Sequence, residues 1–252
     1  MPDLSRDDPT PKILDGIRVI DLSRVLAGPY CGQLLADFGA TVIKIESPEG
    51  DENRRWPPLS PEGVSANFAS VNRGKRAMVL NLKTQAARDI LHRLALQADV
   101  LLHSFLPDTA ARLGISNETL HAANPRLIIG TISGYGALGP LAEKRGYDLM
   151  VQAFGGIMST TGEPGGPPLR CGASVIDMTT GLSLYAAVVT ALLRRATTGQ
   201  AMARQATMWT SLLRVRTCWH AAGPSWMRMG RRLFPRWCGT SWPTTTARRA
   251  AG

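Results

Sequence analysis

At 252 residues the chain is long enough for one substantial core and a second small lobe. Its net charge of +10 invites a nucleic-acid partner, yet residues 201–252 hold nine Arg and no Lys, Asp or Glu, so the first 200 residues carry only +1 and nucleic-acid binding is not expected of them. Cys31, Cys171, Cys218 and Cys238 are scattered with no Cys-x-x-Cys pair, so neither a disulfide framework nor a metal site is expected.

The first 13 residues read as an extension, acidic and Pro-containing, with no secretory pattern. The longest apolar run, 182–193, is interrupted and too short to span a bilayer, so a cytoplasmic protein without a membrane partner is expected. A β-branched strand at 18–22 is broken by Ala27-Gly28-Pro29. Helical spacing follows from Tyr30 to Phe38, Gly39 stops it, and a second strand covers 41–45. Pro29 suits a first helical turn and Gly28 permits close backbone approach. The free N–H groups of such a turn suit a phosphate, and the same turn also serves as an ordinary strand-to-helix connection. The absence of G-x-G-x-x-G argues against a nicotinamide cofactor.

Strands at 78–82, 100–105 and 127–133 then alternate with helices at 85–97 and 118–123. This pattern predicts an α/β fold with a doubly wound parallel sheet. Helix 85–97 is expected to bury Ile90, Leu91, Leu94 and Leu96, leaving Arg88, Asp89 and Arg93 in water. After Gly134, Gly136 and Gly139 come Tyr147-Asp148-Leu149 and a helix through Phe154. A last helix over 181–195 is apolar around nearly its whole circumference and is expected to be buried.

Arg24, Lys75, Arg76, Arg112 and Arg145 fall at element ends, where cations either meet a phosphorylated ligand at the sheet edge or sit as solvated surface charge. Asp177 follows an apolar strand-like run in GASVIDMTTGLSLYAA and stands at the mouth of the last helix. A carboxylate there is either a helix N-cap or a nucleophile able to form a mixed anhydride with an activated acyl group.

Taken together, VIDLSRVLAGPY, GATVIKIESPEGDENRRWPP, SVNRGKRAMVLNLK, GYGALGP, GYDLMVQAFGGIMSTTG and IDMTTGLSLYAAVVTALLRRATTGQ resemble the family III CoA-transferases over about residues 14–200. That group includes the formyl-CoA and carnitine CoA-transferases and, with altered chemistry, the α-methylacyl-CoA racemases. The resemblance implies a Rossmann-like large domain over 14–200 with the second domain largely missing. It also implies acyl-CoA and carboxylic acid substrates, a homodimer, and no cofactor beyond the CoA thioester itself. It implies that Asp177 carries the acyl group and then CoA. It places Arg24, Val25, Leu26 and Ala27 along the CoA site, with Lys75, Ser104, Phe105, Arg112 and Arg145 around adenine and phosphates.

Leu26 stands where formyl-CoA transferases have a glutamine, which implies a larger acyl group than formyl or oxalyl. Ser47 stands where some members have an arginine. Tyr147 stands where the racemases have a histidine, which removes an imidazole needed for two-base proton exchange. Racemase-like chemistry and an inactive CoA-binding fragment are the alternative readings. The wording of several blocks resembles the succinyl-CoA and glutarate branch, where Arg170 is either a ligand for a distal carboxylate or simply exposed.

The tail, 201–252, loses every acidic residue and gains five of the six Trp. Met and Trp each have one codon, and moving back one base across Thr207-Met208-Trp209-Thr210 recovers a Val-Asp pair of the kind that follows such a Gly-Gln in the family. The tail is therefore expected to be a disordered extension or a shifted reading frame. Resequencing the coding DNA from the Arg194 codon through the Trp219 codon should reveal one missing or extra base. An uninterrupted frame would contradict this reading.

Overall fold

A computed structural model describes residues 12–136, 140–199 and 204–207. Strand β1 (Arg18–Asp21) leads into helix α1 (Ala27–Asp37) and β2 (Thr41–Glu46); a 3-10 turn (Glu52–Arg55) and α2 (Ala66–Ser70) precede β3 (Arg76–Val79). Next come α3 (Gln85–Gln97), β4 (Val100–His103), α4 (Pro107–Arg112), α5 (Asn117–Ala123) and β5 (Ile128–Ser133). Helices α6 (Asp148–Phe154) and α7 (Val175–Thr198) and strand β6 (Arg204–Thr207) complete the described elements.

The six strands form one sheet in the order β3-β2-β1-β4-β5-β6, every neighbouring pair parallel. The expected doubly wound architecture is therefore present. Side chains alternate across it with period two. Val19, Leu102 and Ile128 face a core shared with α1 and α7, while Ile20, Leu101 and Ile129 face one shared with α3, α4 and α5. β4 is buried along its whole length, as expected of a parallel strand covered on both faces. Chain connections diverge to opposite faces between β1 and β4, leaving a crevice beyond their carboxyl ends.

Several local expectations are corrected. β3 occupies Arg76–Val79 instead of 78–82, because its pairing with β2 ends at Glu46–Val79 and the chain then turns toward the start of α3. In α3 the inner face is Ala87, Leu91 and Ala95, while Leu96 is 52 % exposed because it lies five residues beyond Leu91, off that stripe. The last helix begins at Val175, inside the run that reads as strand-like, and extends to Thr198. Residues 204–207, assigned to the tail, form the sixth strand against β5. The rest of the tail, with Cys218, Cys238 and its tryptophans, lies outside the described residues, as does most of the N-terminal extension.

Helix α7 is long and apolar enough to cross a bilayer, contrary to the shorter run expected. It is not buried all round. Leu184, Val188, Ala191 and Leu192 pack into the core, whereas Leu182 and Leu193 are exposed. Its far end is tied to the sheet through Arg195, whose guanidinium donates to Asp99 Oδ1 at 2.7 Å and to the Arg126 carbonyl at 3.0 Å.

Helices α1 and α7 meet at Gly181. A Cβ there would lie 2.4 Å from the Ala27 carbonyl oxygen, which is backbone and has nowhere to go. Alanine would ordinarily favour a helix over glycine by about 1 kcal/mol, but this clash should reverse the sign. Gly181→Ala is expected to destabilise the fold by about 2 kcal/mol, read as a lower thermal midpoint; an unchanged or higher midpoint would show that the two helices can separate freely.

Candidate active site

The site is built where α6 meets the start of α7. Ser174 precedes α7 without capping it by side chain. The cap comes instead from Asp148, the first residue of α6, whose Oδ2 accepts the backbone N–H groups of Ile176 at 2.8 Å and Asp177 at 3.0 Å. Gln152 donates to the other Asp148 oxygen and, through its own Oε1, accepts the Cys171 N–H at 2.9 Å. Asp177 is therefore inside the first helical turn, not the N-cap.

Asp177 is 9 % exposed, and its carboxylate receives no hydrogen bond from any described residue. Burial, and then the negative charge of Asp148, push its carboxyl up to about 7. The side chain lies at the junction of two cavities that share Val25, Tyr147 and Asp177. The larger, about 180 Å³, opens on the crevice between β1 and β4 and is lined by Arg24, Leu26, Ala27, Ser104, Phe105 and Arg145. The smaller, about 150 Å³, is lined by Trp56, Asp148, Gln152, Arg170 and Cys171 among others.

The turn shared by both cavities is held in an unfavourable conformation. Val25 has φ of 69°, a region β-branched residues rarely adopt, at a cost of about 1–3 kcal/mol. Its N–H is directed at both Asp51 oxygens (3.3 Å each), and its carbonyl accepts Asn53 Nδ2 at 2.9 Å. Asp51 is in turn paired with buried Lys44 at 3.0 Å, and the same ammonium reaches the Ser23 carbonyl at 3.0 Å. Gly28 completes the turn, since a Cβ there would strike the Ser23 side chain.

Seven of the nine expected CoA-site residues thus line the larger cavity: Arg24, Val25, Leu26, Ala27, Ser104, Phe105 and Arg145. Lys75 does not, and its expected phosphate role is corrected. Its side chain is 2 % exposed, and its ammonium donates to Asp21 Oδ2 (2.8 Å), the Pro29 carbonyl (2.8 Å) and Asn72 Oδ1 (2.9 Å), leaving no proton for a phosphate. Burial alone would raise the Asp21 carboxyl, yet Lys75 and Lys44 hold it below the usual range. Arg112 is outside the lining; its guanidinium donates to Thr109, which does line the cavity, at 3.3 Å.

Residue types alone did not reveal Lys144, Glu52 and Thr109 in the larger cavity, Trp56 and Gln152 in the smaller, or His103 behind Phe105. Burial pushes the His103 imidazole down to about 4, and its Nδ1 accepts the Phe105 N–H at 3.3 Å, so it is a neutral support. A dipeptide of cations, Lys144-Arg145, next to the Gly146-Tyr147 turn was the available signal for Lys144.

A raised Asp177 carboxyl has a definite stability consequence. Its pKa exceeds the ordinary value near 3.8, so its stabilising contribution is complete below that value and is lost as pH rises through about 7. Asp177→Asn should therefore be more stable than the parent at pH 8, by up to about 4 kcal/mol, with the advantage vanishing toward pH 4. Thermal melts across this range check it, and a pH-independent difference would contradict the burial and Asp148 effects.

The family model for CoA-transferase family III matches residues 14–236. The succinate–glutarate CoA-transferase of Agrobacterium fabrum is 44 % identical over 194 residues, covering 74 % of this chain and 48 % of that protein. The acetyl-CoA:oxalate CoA-transferase of Acetobacter aceti is 42 % identical over 224 residues, covering 86 % of this chain and 57 % of that one. The chain thus spans about half the length of these curated relatives. The solved structure of a CaiB/BaiF family protein from Brucella suis superposes with a TM-score of 0.76 at 41 % identity, covering 81 % of this chain and 55 % of its own. That of Rv3272 from Mycobacterium tuberculosis gives 0.79 at 35 %, covering 84 % and 59 %. This chain belongs to CoA-transferase family III.

Proposed function

We propose that the protein moves CoA between carboxylic acids through covalent intermediates on Asp177. The observation that carries this is one mostly buried carboxylate, without a hydrogen bond from any described residue, placed where two cavities meet. The larger holds CoA, with Arg24, Lys144 and Arg145 supplying charge for its phosphates, and the smaller holds the acyl or acid portion. The named relatives are CoA-transferases, which supports this assignment.

In the first step an Asp177 oxygen attacks the donor thioester carbonyl and the C–S bond breaks, giving a mixed anhydride and CoA thiolate. The thiolate then attacks the aspartyl carbonyl carbon, so the donor acid leaves as its carboxylate and Asp177 carries CoA as a thioester. The acceptor carboxylate attacks that thioester, and the released thiolate attacks the acceptor's acyl carbon, restoring Asp177. Each step exchanges one substituent on a carboxyl carbon without electron transfer, so the chemistry calls for no redox cofactor or metal. Retaining the thiolate in one cavity while acids exchange in the other keeps every attack intramolecular.

Tyr147 occupies the shared wall, and no histidine is among the described lining residues, which supports transfer over two-base racemisation. The family resemblance adds a homodimer acting in the cytoplasm.

Acyl-CoA followed by hydroxylamine or borohydride should convert the Asp177 side chain to a hydroxamate or an alcohol, read by mass spectrometry of its peptide, and Asp177→Asn should abolish the change. The trapping rate should fall below pH 7 as the nucleophile is protonated. Asp148→Asn keeps an oxygen for the α7 N–H groups but removes the neighbouring charge, so it should shift this limb to lower pH. A trapped product on another residue, or none on the parent, would overturn the covalent mechanism.

A further inference from the structure

The transfer chemistry leaves one nucleophile of the site unused. Cys171 lines the smaller cavity together with Asp177, and its thiol is free and half-buried, with no hydrogen bond to its Sγ from any described residue. Cys31 on α1 is a contrast. It is fully buried in the core, and burial and then the Asp21 charge hold its thiol far above the ordinary range, so it stays inert.

Cys171 is also fixed relative to the reactive carboxylate. Its N–H reaches Gln152 Oε1 at 2.9 Å, Gln152 donates to Asp148, and Asp148 caps the helix turn bearing Asp177. The cavity that Cys171 and Asp177 share is small, about 150 Å³, or room for about five waters. Asp177 is 9 % exposed, accepts no hydrogen bond from a described residue and lines both cavities, so it marks the place where the sulfur of CoA bound in the larger cavity meets the smaller one. A CoA sulfur delivered to Asp177 therefore arrives in a space that a protein thiol already lines.

We propose that Cys171 is a modification site for CoA itself, forming a mixed disulfide that closes the active site reversibly. This inference rests on the reading that the larger cavity holds CoA, and it goes beyond that reading by giving the unused thiol a covalent partner. The reactant is the disulfide of CoA. The Cys171 thiolate, its proton given to solvent, attacks one sulfur, the S–S bond breaks, and the second CoA leaves as its thiolate. One disulfide replaces another, so the exchange consumes no further oxidant. The nucleotide arm stays in the larger cavity beside Arg24, Lys144 and Arg145, while the new bond lies in the smaller cavity beside Asp177. Acyl-CoA then has no access to the carboxylate until a reducing thiol reverses the exchange.

The test treats the full chain with CoA disulfide and, separately, with glutathione disulfide, which offers the same reactive bond without the nucleotide, and maps the adducts by peptide mass spectrometry. Cys171 should take CoA at least about tenfold faster than glutathione, because binding holds the disulfide at the thiol. Cys218 and Cys238 supply reference rates in the same digest. Desulfo-CoA, which lacks the sulfur, should slow the CoA adduct at Cys171, and Cys171→Ser should remove the CoA-selective adduct altogether. Equal rates for the two disulfides at Cys171, or no protection by desulfo-CoA, would overturn the proposal. Asp177→Asn separates it from the transfer chemistry, since that variant forms no aspartyl intermediate yet should still take CoA at Cys171. A CoA adduct at Cys171 with no trapped product on Asp177 of the parent would sink the transfer mechanism and leave this site standing. A trapped product on Asp177 without CoA preference at Cys171 would sink this proposal alone.

Discussion

Two backbone N–H groups at the start of α7, accepted by the carboxylate of Asp148, set the geometry of everything that follows. Charge-assisted bonds of this kind contribute about 1.5–3 kcal/mol each, and here they replace a local cap that Ser174 does not provide. The same carboxylate is a negative charge beside the carboxyl it positions. Asp148 thus fixes the place of Asp177 and, together with burial, makes its ionisation costly. A nucleophile that is reluctant to be charged when free gains more on forming a neutral anhydride or thioester than a solvated aspartate would.

Beneath the opposite wall lie buried charges of a different purpose. Lys44 with Asp51 and Lys75 with Asp21 are ion pairs with side chains no more than 2 % exposed. Such pairs seldom add net stability over apolar residues of equal volume, but removing one partner strands the other. Their use here is to fix an otherwise unfavourable turn: Asp51 and Asn53 grip Val25, and Lys75 grips the Pro29 carbonyl in the first turn of α1. The close approach of α1 to α7 at Gly181 then brings this turn and the start of α7 to one cavity wall.

The sheet was legible because its cause is local and periodic. Runs such as 18–22 and 127–133 are bounded by breakers and alternate with helical spacing, and β1 and β5 fall within them. α3 was predicted with its observed limits since Thr84 caps it and no residue interrupts it. What the sequence hid are long-range partners. The start of α7 depends on a cap from 28 residues upstream, so a local reading takes Val175 and Ile176 for strand. Lys75 looked free because Asp21 is 54 residues away. Asp177 was found through chemistry and motif position, whereas its two-cavity setting, with Trp56 on one side and Lys144 on the other, exists only once the chain is folded.

The most direct test follows oxygen. If the acceptor acid attacks an Asp177 thioester and its acyl carbon is then taken by CoA, the bridging oxygen of the anhydride stays behind on the enzyme. After a single turnover with an acceptor acid labelled with heavy oxygen in its carboxylate, mass spectrometry of the peptide containing Asp177 should show one heavy oxygen in that side chain. Full conversion to the new thioester with no heavy oxygen in Asp177 would contradict covalent transfer through this carboxylate.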